Sequence, residues 1–224
     1  MFKKFIWLEW KSFLRSASFG KSLGLKILMA FLALYFSAMF LFLGIALFPI
    51  SKELYPEADP LKVVNSFALL YFSFELLFRF LLQTLPVIDI KPLMILPIKK
   101  QKVVNFVLLK SLYSFYNFLP LLLLLPFGLY CMIKEGYPPM NMIGWMIAMY
   151  ALILCVNYLN FIIKKRFTEN LKALIPVIIF GLILALLEYL EIFEITDLFG
   201  RILNFLYSNP YLAIVPVIML LLLY

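Results

Sequence analysis

Glu75 and Arg79 are two opposite charges that stand four residues apart inside a long apolar run. On a helix this spacing puts both side chains on one face, one turn apart, where they form an ion pair. Pairing lowers the high cost of a lone charge within a membrane-spanning segment. Two interpretations stay open. The pair faces a polar pathway or fixes helix packing at a subunit interface, or Arg79 extends towards the nearer membrane surface and Glu75 only neutralises it.

The residue types that most enzymatic sites need are absent or isolated. The chain has no His, and its two cysteines, Cys131 and Cys155, lie alone within apolar runs. Transition-metal sites and histidine-based acid–base chemistry therefore lack ligands and bases. The tripeptide GKS at 20–22 is similar to the end of a phosphate loop, but Arg15 stands where the first glycine belongs and no strand precedes it. We expect no catalytic residue, cofactor or metal in this chain.

Further polar residues are scattered through the apolar runs. They are Asn65, Gln83, Ser111, Ser114, Asn117, Asn157 and Asn160. In membrane helices such residues usually form hydrogen bonds between helices, and we expect that role here rather than a substrate path.

Acidic residues recur at three-residue intervals from Glu188 to Asp197. A calcium site would need alternating ligands and a glycine turn, which this spacing does not match. We therefore interpret 188–207 as an amphipathic helix at the membrane surface, with one polar face exposed to water.

The connection at 86–102, which we call the elbow, combines prolines with clustered charge. Its three prolines interrupt any helix twice. The apolar stretch PLMILP at 92–97 would be unusual on an uncovered surface, which favours a partner that contacts it. A plain interfacial segment is the alternative. The candidate docking residues are Asp89, Lys91, Pro97, Lys99, Lys100 and Lys102.

The amino-acid composition indicates whether this chain folds in water or in a lipid membrane. Of 224 residues, 65% are hydrophobic and only 14% are charged, too few to cover a soluble domain. The apolar runs are continuous rather than alternating, which predicts helices and not barrel strands. The sequence therefore indicates an all-α, polytopic integral membrane protein.

The runs predict about six transmembrane helices and no separate soluble domain. The expected spans are 27–50, 63–85, 103–133, 142–163, 173–187 and 211–224. Residues 1–26 precede them as a basic amphipathic helix and turn at the inner membrane surface, although a frayed basic tail is the alternative. The last run is short for a span, so we expect the natural chain to continue past Tyr224.

Charge predicts the orientation. Fifteen of the twenty Lys and Arg residues lie in the N-terminal segment, the elbow region and the 164–172 loop, whereas four lie in the opposite loops. The positive-inside rule therefore puts the N-terminus and the elbow in the cytoplasm, and the basic residues act as topology signals rather than as a nucleic-acid site.

The elbow also carries a family resemblance. Leu96-Pro97-Ile98-Lys99-Lys100, followed by an apolar helix with Lys110, resembles the signature that opens the third span of type-2 ABC exporter membrane subunits. The order of elements along the whole chain is similar as well. LEWKSFLRSASFGKS at 8–22 and PVIDIKPLMILPIKK at 86–100 look like an uncharacterised Bacteroidota branch of these permeases, whose members are longer.

The resemblance implies a non-catalytic permease half in the bacterial inner membrane. A separate ATP-binding subunit would hold ATP and Mg²⁺ and contact the elbow, and a second permease half would complete the pathway. Two other functions stay open: a non-transporting scaffold or assembly factor, and a membrane-embedded enzyme acting on lipids. The enzyme is disfavoured because only Asp89 and Glu169 supply carboxylates at the cytoplasmic ends of the spans.

Overall fold

The computed structural model describes residues 7, 23–83, 99–167 and 195–224. Every regular element within these ranges is helical. The helices are α1 (Leu23–Leu54), α2 (Pro60–Leu82), α3 (Lys100–Leu112), α4 (Phe115–Ile133), α5 (Pro139–Phe167), α6 (Ile195–Ser208) and α7 (Ile214–Leu223), and a 3-10 turn, Pro210–Ala213, precedes α7. The described part of the chain is therefore all-α, as the sequence predicted.

Four described helical stretches are long and apolar enough to cross a membrane: Ile27–Leu54, Pro60–Leu82, Lys100–Ile133 and Pro139–Arg166. A fifth span results if Ile195–Ser208 and Pro210–Leu223, which meet at a bend of 116°, are counted together. The membrane class predicted from composition thus agrees with four or five such stretches. Most of the N-terminal helix predicted at 1–26, the span at 173–187 and elbow residues 86–98 lie outside the described residues.

The region predicted as one uninterrupted span at 103–133 contains a break. Helix α3 ends at Leu112 and α4 begins at Phe115, with Tyr113 and Ser114 between them. The last predicted run, 211–224, is likewise divided into the 3-10 turn and the ten-residue helix α7. Apolar content alone does not reveal such breaks, because it is the same on both sides of them.

Helix α5 is the centre of the bundle. It contacts α2, α3, α4, α6 and α7, whereas α1 packs mainly on α4 and leaves much of its surface exposed. Trp145 and Met142 of α5 are fully buried, and the Trp145 ring lies 5.7 Å from that of Phe127 on α4. The described core is therefore built around one helix with apolar neighbours on several sides.

Two connections meet at one end of the bundle. The Tyr137 hydroxyl, between α4 and α5, donates a hydrogen bond of 2.6 Å to Asp59, which also caps the first turn of α2 through the Leu61 amide at 2.9 Å. Burial and the bond to Asp59 raise the pKa of Tyr137, so its hydroxyl stays protonated and remains a donor at neutral pH. The opposite end, where α2 finishes at Leu82 and α5 at Phe167, is called the elbow end below.

Close backbone contact joins α1 to α4 at Gly44. A Cβ atom at this position would collide with the carbonyl oxygen of Leu123 and lie 3.1 Å from its Cα. Small residues allow helices to approach this closely in membranes, where packing rather than water drives association. Gly44 therefore determines how α1 sits against the bundle.

We expect Gly44→Ala to lower the free energy of unfolding by about 1–3 kcal/mol, although alanine favours helices, because a backbone carbonyl has no freedom to yield. Gly24→Ala on the same helix is the matched control, since no atom lies within 4 Å of the added methyl group. Denaturant unfolding in micelles, followed by circular dichroism, measures both variants. Equal stability of the two would contradict the close contact.

Candidate functional site: a buried polar network at the elbow end

Arg79 lies at the centre of a polar network inside the described bundle. Its side chain is only 1% exposed, and that of its partner Glu75 is 9% exposed. The Arg79 Nε donates to Glu75 Oε1 at 2.9 Å, and Nη2 donates to the same oxygen. The pair predicted from the i,i+4 spacing is thus formed, and Arg79 lies within the bundle instead of reaching its surface.

Arg79 also binds a backbone carbonyl that its own helix leaves unpaired. The carbonyl oxygen of Tyr116, in the first turn of α4, would normally accept from the amide four residues later, but that residue is Pro120 and has no N–H. Arg79 Nη2 donates to this oxygen at 2.8 Å. The guanidinium thereby links α2 to α4 and satisfies a carbonyl that would otherwise be buried without a donor.

Asn157 of α5 connects the same guanidinium to two further helices. Its Oδ1 accepts from Arg79 Nη1 at 3.2 Å and from Gln83 Nε2 at 3.1 Å. Its Nδ2 donates to the Ser111 hydroxyl on α3 at 3.0 Å. One fully buried amide therefore joins α2, α3 and α5.

Gln83, the residue that ends α2, is fixed on both its side chain and its backbone. Its Oε1 accepts from Asn160 Nδ2 at 3.1 Å, and its carbonyl oxygen accepts from Lys164 Nζ. Asn160 and Lys164 both belong to α5. The point where the chain leaves α2 for the elbow is therefore attached to the central helix.

The break between α3 and α4 is stabilised by a side chain. Asn117 Nδ2 donates to the carbonyl oxygens of Ser111 and Leu112 at 2.9 and 3.2 Å. Both carbonyls lie at the end of α3, where the regular helical hydrogen-bond pattern stops, and the Ser111 carbonyl also accepts from the Ser114 amide at 3.1 Å. Broken helices are tolerated in membranes only where their backbone groups are satisfied. Asn117 supplies hydrogen bonds to the backbone at the break between α3 and α4.

Three oxygens of this region remain without a hydrogen-bond donor among the described residues: Glu75 Oε2, Asn117 Oδ1 and Asn160 Oδ1. All three are acceptors and all are buried. The arrangement can therefore accept hydrogen bonds from a polar molecule, from water or from a proton carrier. Within the described residues, no group of three or more His, Cys, Asp or Glu side chains comes together.

The structure gathers most of the scattered polar residues near Arg79. Asn157 bonds Arg79 directly, Gln83 and Ser111 bond Asn157, Asn160 bonds Gln83, and Asn117 bonds the Ser111 carbonyl. Asn65 belongs to a second site, where it donates to Asn204 at 2.7 Å and accepts from Trp145 Nε1 at 2.8 Å. Two members of the network, Lys164 and the Tyr116 carbonyl, were not predicted from the sequence. Pro120 was the available signal, since a proline four residues after Tyr116 leaves that carbonyl without its helical donor.

Only half of the docking residues predicted from the sequence lie within the described part of the chain. Lys99, Lys100 and Lys102 are exposed at the start of α3. Asp89, Lys91 and Pro97 lie outside the described residues. The lysines are thus accessible on the surface at the point where the chain returns from the elbow.

We expect Arg79→Met to lower the free energy of unfolding by about 3–5 kcal/mol, because it leaves the Glu75 carboxylate buried without its cation. Arg201→Met is the matched control: it breaks an Asp197–Arg201 pair of the same spacing whose side chains are 48% and 69% exposed, and we expect little change. Denaturant titration in micelles measures both. Equal effects of the two substitutions would argue against a special role for the buried pair.

Pro120→Ala should partly rescue Arg79→Met. Alanine supplies the amide that proline lacks, so the Tyr116 carbonyl regains a donor within its own helix; we expect about 1–2 kcal/mol of recovery in the double variant. Pro126→Ala, in the same helix but away from Tyr116, is the control and should not rescue. The same denaturant titration applies, and additive effects of Arg79→Met and Pro120→Ala would refute the shared carbonyl.

Comparisons with known proteins complete the description. No curated protein and no solved structure matches this chain. A family model described as a family of unknown function, DUF5687, matches residues 9–224. The match extends over nearly the whole chain, from the N-terminal segment through the elbow and the buried network to α7, and the chain therefore belongs to the DUF5687 family.

Proposed function

We propose that this protein is the membrane-spanning permease subunit of an ABC-type exporter, which couples ATP hydrolysis on a separate subunit to the movement of a substrate. The observation that carries the proposal is the attachment of both sides of the elbow to one buried network. Gln83, just before the elbow, binds Asn157, Asn160 and Lys164 of α5. Ser111, on the helix that follows the elbow, binds Asn157 as well.

This arrangement suits a segment that receives force. A connection tethered only by its two helix ends would flex when pushed, whereas one whose flanks are bonded to the central helix moves that helix with it. The links are side-chain hydrogen bonds in a buried setting, where they are costly to break. Displacement of the elbow would therefore pass to α2, α3 and α5 together.

The proposed partner is an ABC-class ATP-binding subunit, which would hold ATP and Mg²⁺. Lys99, Lys100 and Lys102 are exposed at the C-terminal end of the elbow and would supply charge-assisted contacts to acidic groups on that subunit. In this proposal the elbow end faces the cytoplasm of a bacterial inner membrane, in keeping with its positive charge. A second permease half would complete the pathway.

The buried acceptors support a role in transport. Glu75 Oε2 and Asn160 Oδ1 have no donor among the described residues, so the network keeps unused hydrogen-bond acceptors. Polar groups buried in membrane helices are expensive and commonly mark a pathway. In this proposal the acceptors become accessible when the two halves separate.

The test is co-purification of the protein with candidate ABC ATP-binding subunits. We expect the combined Lys99→Glu, Lys100→Glu and Lys102→Glu changes to abolish binding and ATPase stimulation, because they replace three attractive charges with repulsive ones. The control changes Lys52, Lys62 and Lys134 to Glu, which alters net charge equally on the opposite loops and should leave binding intact.

Loss of binding in both triple variants would point to bulk charge rather than to a docking site. If no ATP-binding subunit associates with the unmodified protein, the exporter proposal fails and the scaffold function takes its place.

A further inference from the structure

A cavity of about 340 Å³ opens between α1 and α2, close to the residues 55–59 that join them. Its rim includes Ile50, Leu54 and Phe67, which are 44%, 68% and 50% exposed. Its inner wall includes Leu124 of α4 and Met149 of α5, which are only 4% and 3% exposed. The cavity therefore leads from an exposed apolar rim to the buried core.

The cavity is elongated along the axes of α1 and α2. The described lining extends from Leu47 to Leu54 on α1 and from Val63 to Tyr71 on α2, which is about 10–12 Å on each helix at 1.5 Å per residue, and Tyr55 follows directly after α1. This approaches the ~15 Å depth of hydrocarbon in one leaflet. Asp59 and its neighbouring acids mark the aqueous end, so the cavity starts at the polar connection and extends towards the middle of the bundle.

The lining offers little to a polar ligand. Most of its described residues are aliphatic or Phe, and the exceptions are Ser51, Tyr55 and Tyr71. The Ser51 hydroxyl already donates to the Leu47 carbonyl at 2.6 Å, within its own helix. Water would find few partners here, and an empty cavity would leave the lining atoms without contacts.

We propose that this cavity binds the hydrocarbon chain of a membrane lipid that enters from the leaflet beside residues 55–59. The exposed rim continues the apolar outer surface of α1 and α2, so lipid chains surround the entrance. A chain is long and thin enough to follow the two helices, and it fills the space without needing hydrogen bonds. This site is independent of an ATP-binding partner and does not rest on the proposed export function.

The test uses the purified protein in phosphatidylethanolamine vesicles that contain a phospholipid with a photoreactive diazirine in its acyl chain. After irradiation, mass spectrometry locates the adducts. We expect adducts on the buried Leu124 and Met149 in addition to those on exposed helix surfaces, and competition by unlabelled lipid should reduce them. A lipid that only coats the protein does not reach these two side chains.

The paired variant Ser51→Leu with Val64→Phe narrows the cavity from both helices. We expect it to reduce labelling of Leu124 and Met149 about tenfold, which corresponds to ~1.4 kcal/mol of lost affinity. The control pair, Ser73→Leu with Val215→Phe, makes the same changes at exposed positions and should leave the labelling unchanged.

Two results would overturn the proposal. One is labelling of Leu54 and Phe67 in the unmodified protein with none on Leu124 or Met149, which would mean that chains stop at the rim or that another protein segment occupies the cavity. The other is labelling of the inner wall that persists in a folded Ser51→Leu, Val64→Phe variant, since the chain would then arrive by a different route. If that variant does not fold, the labelling of Leu124 and Met149 relative to Leu54 and Phe67 in the unmodified protein decides.

Discussion

The need of buried backbone carbonyls for hydrogen-bond donors shapes how this bundle is assembled. In an apolar surrounding a backbone carbonyl without a donor is costly, and the chain creates such carbonyls wherever a helix is interrupted. Arg79 satisfies the Tyr116 carbonyl that Pro120 leaves unpaired, and Asn117 satisfies the carbonyls at the end of α3. The two interruptions are therefore tied to specific side chains, and those side chains hold the neighbouring helices.

The network and the close helix contacts stabilise different parts of the molecule. At the elbow end, hydrogen bonds through Asn157 and Gln83 join α2, α3 and α5. Further along, α1 is held by close packing of Gly44 on α4. Hydrogen bonds are directional and fix the mutual orientation of the helices that they join, whereas apolar contacts are non-directional. In the two proposals made above, the elbow end moves as a unit and the space beside α1 admits a lipid chain.

Much of the secondary structure was predictable from the sequence, because helix formation depends mainly on the composition and spacing of neighbouring residues. The all-α class and the existence of the apolar helices follow from runs that no soluble protein would carry, and the Glu75–Arg79 pair follows from a spacing of four. The break at Tyr113 and Ser114 was not predicted, since no proline or glycine lies at that point. The break is stabilised by Asn117, which donates to the carbonyls of Ser111 and Leu112 at the end of α3.

The sequence by itself determined that this chain forms helices apolar enough to cross a membrane, with two opposite charges paired within one of them, because hydrophobic content and helical period are properties of neighbouring residues. Only the tertiary structure decided which polar residues meet. Arg79 and Tyr116 are 37 positions apart, and Gln83 and Lys164 are 81 positions apart. Such contacts depend on how whole helices rotate and pack against one another, and this depends on the summed fit of many side chains rather than on any local pattern.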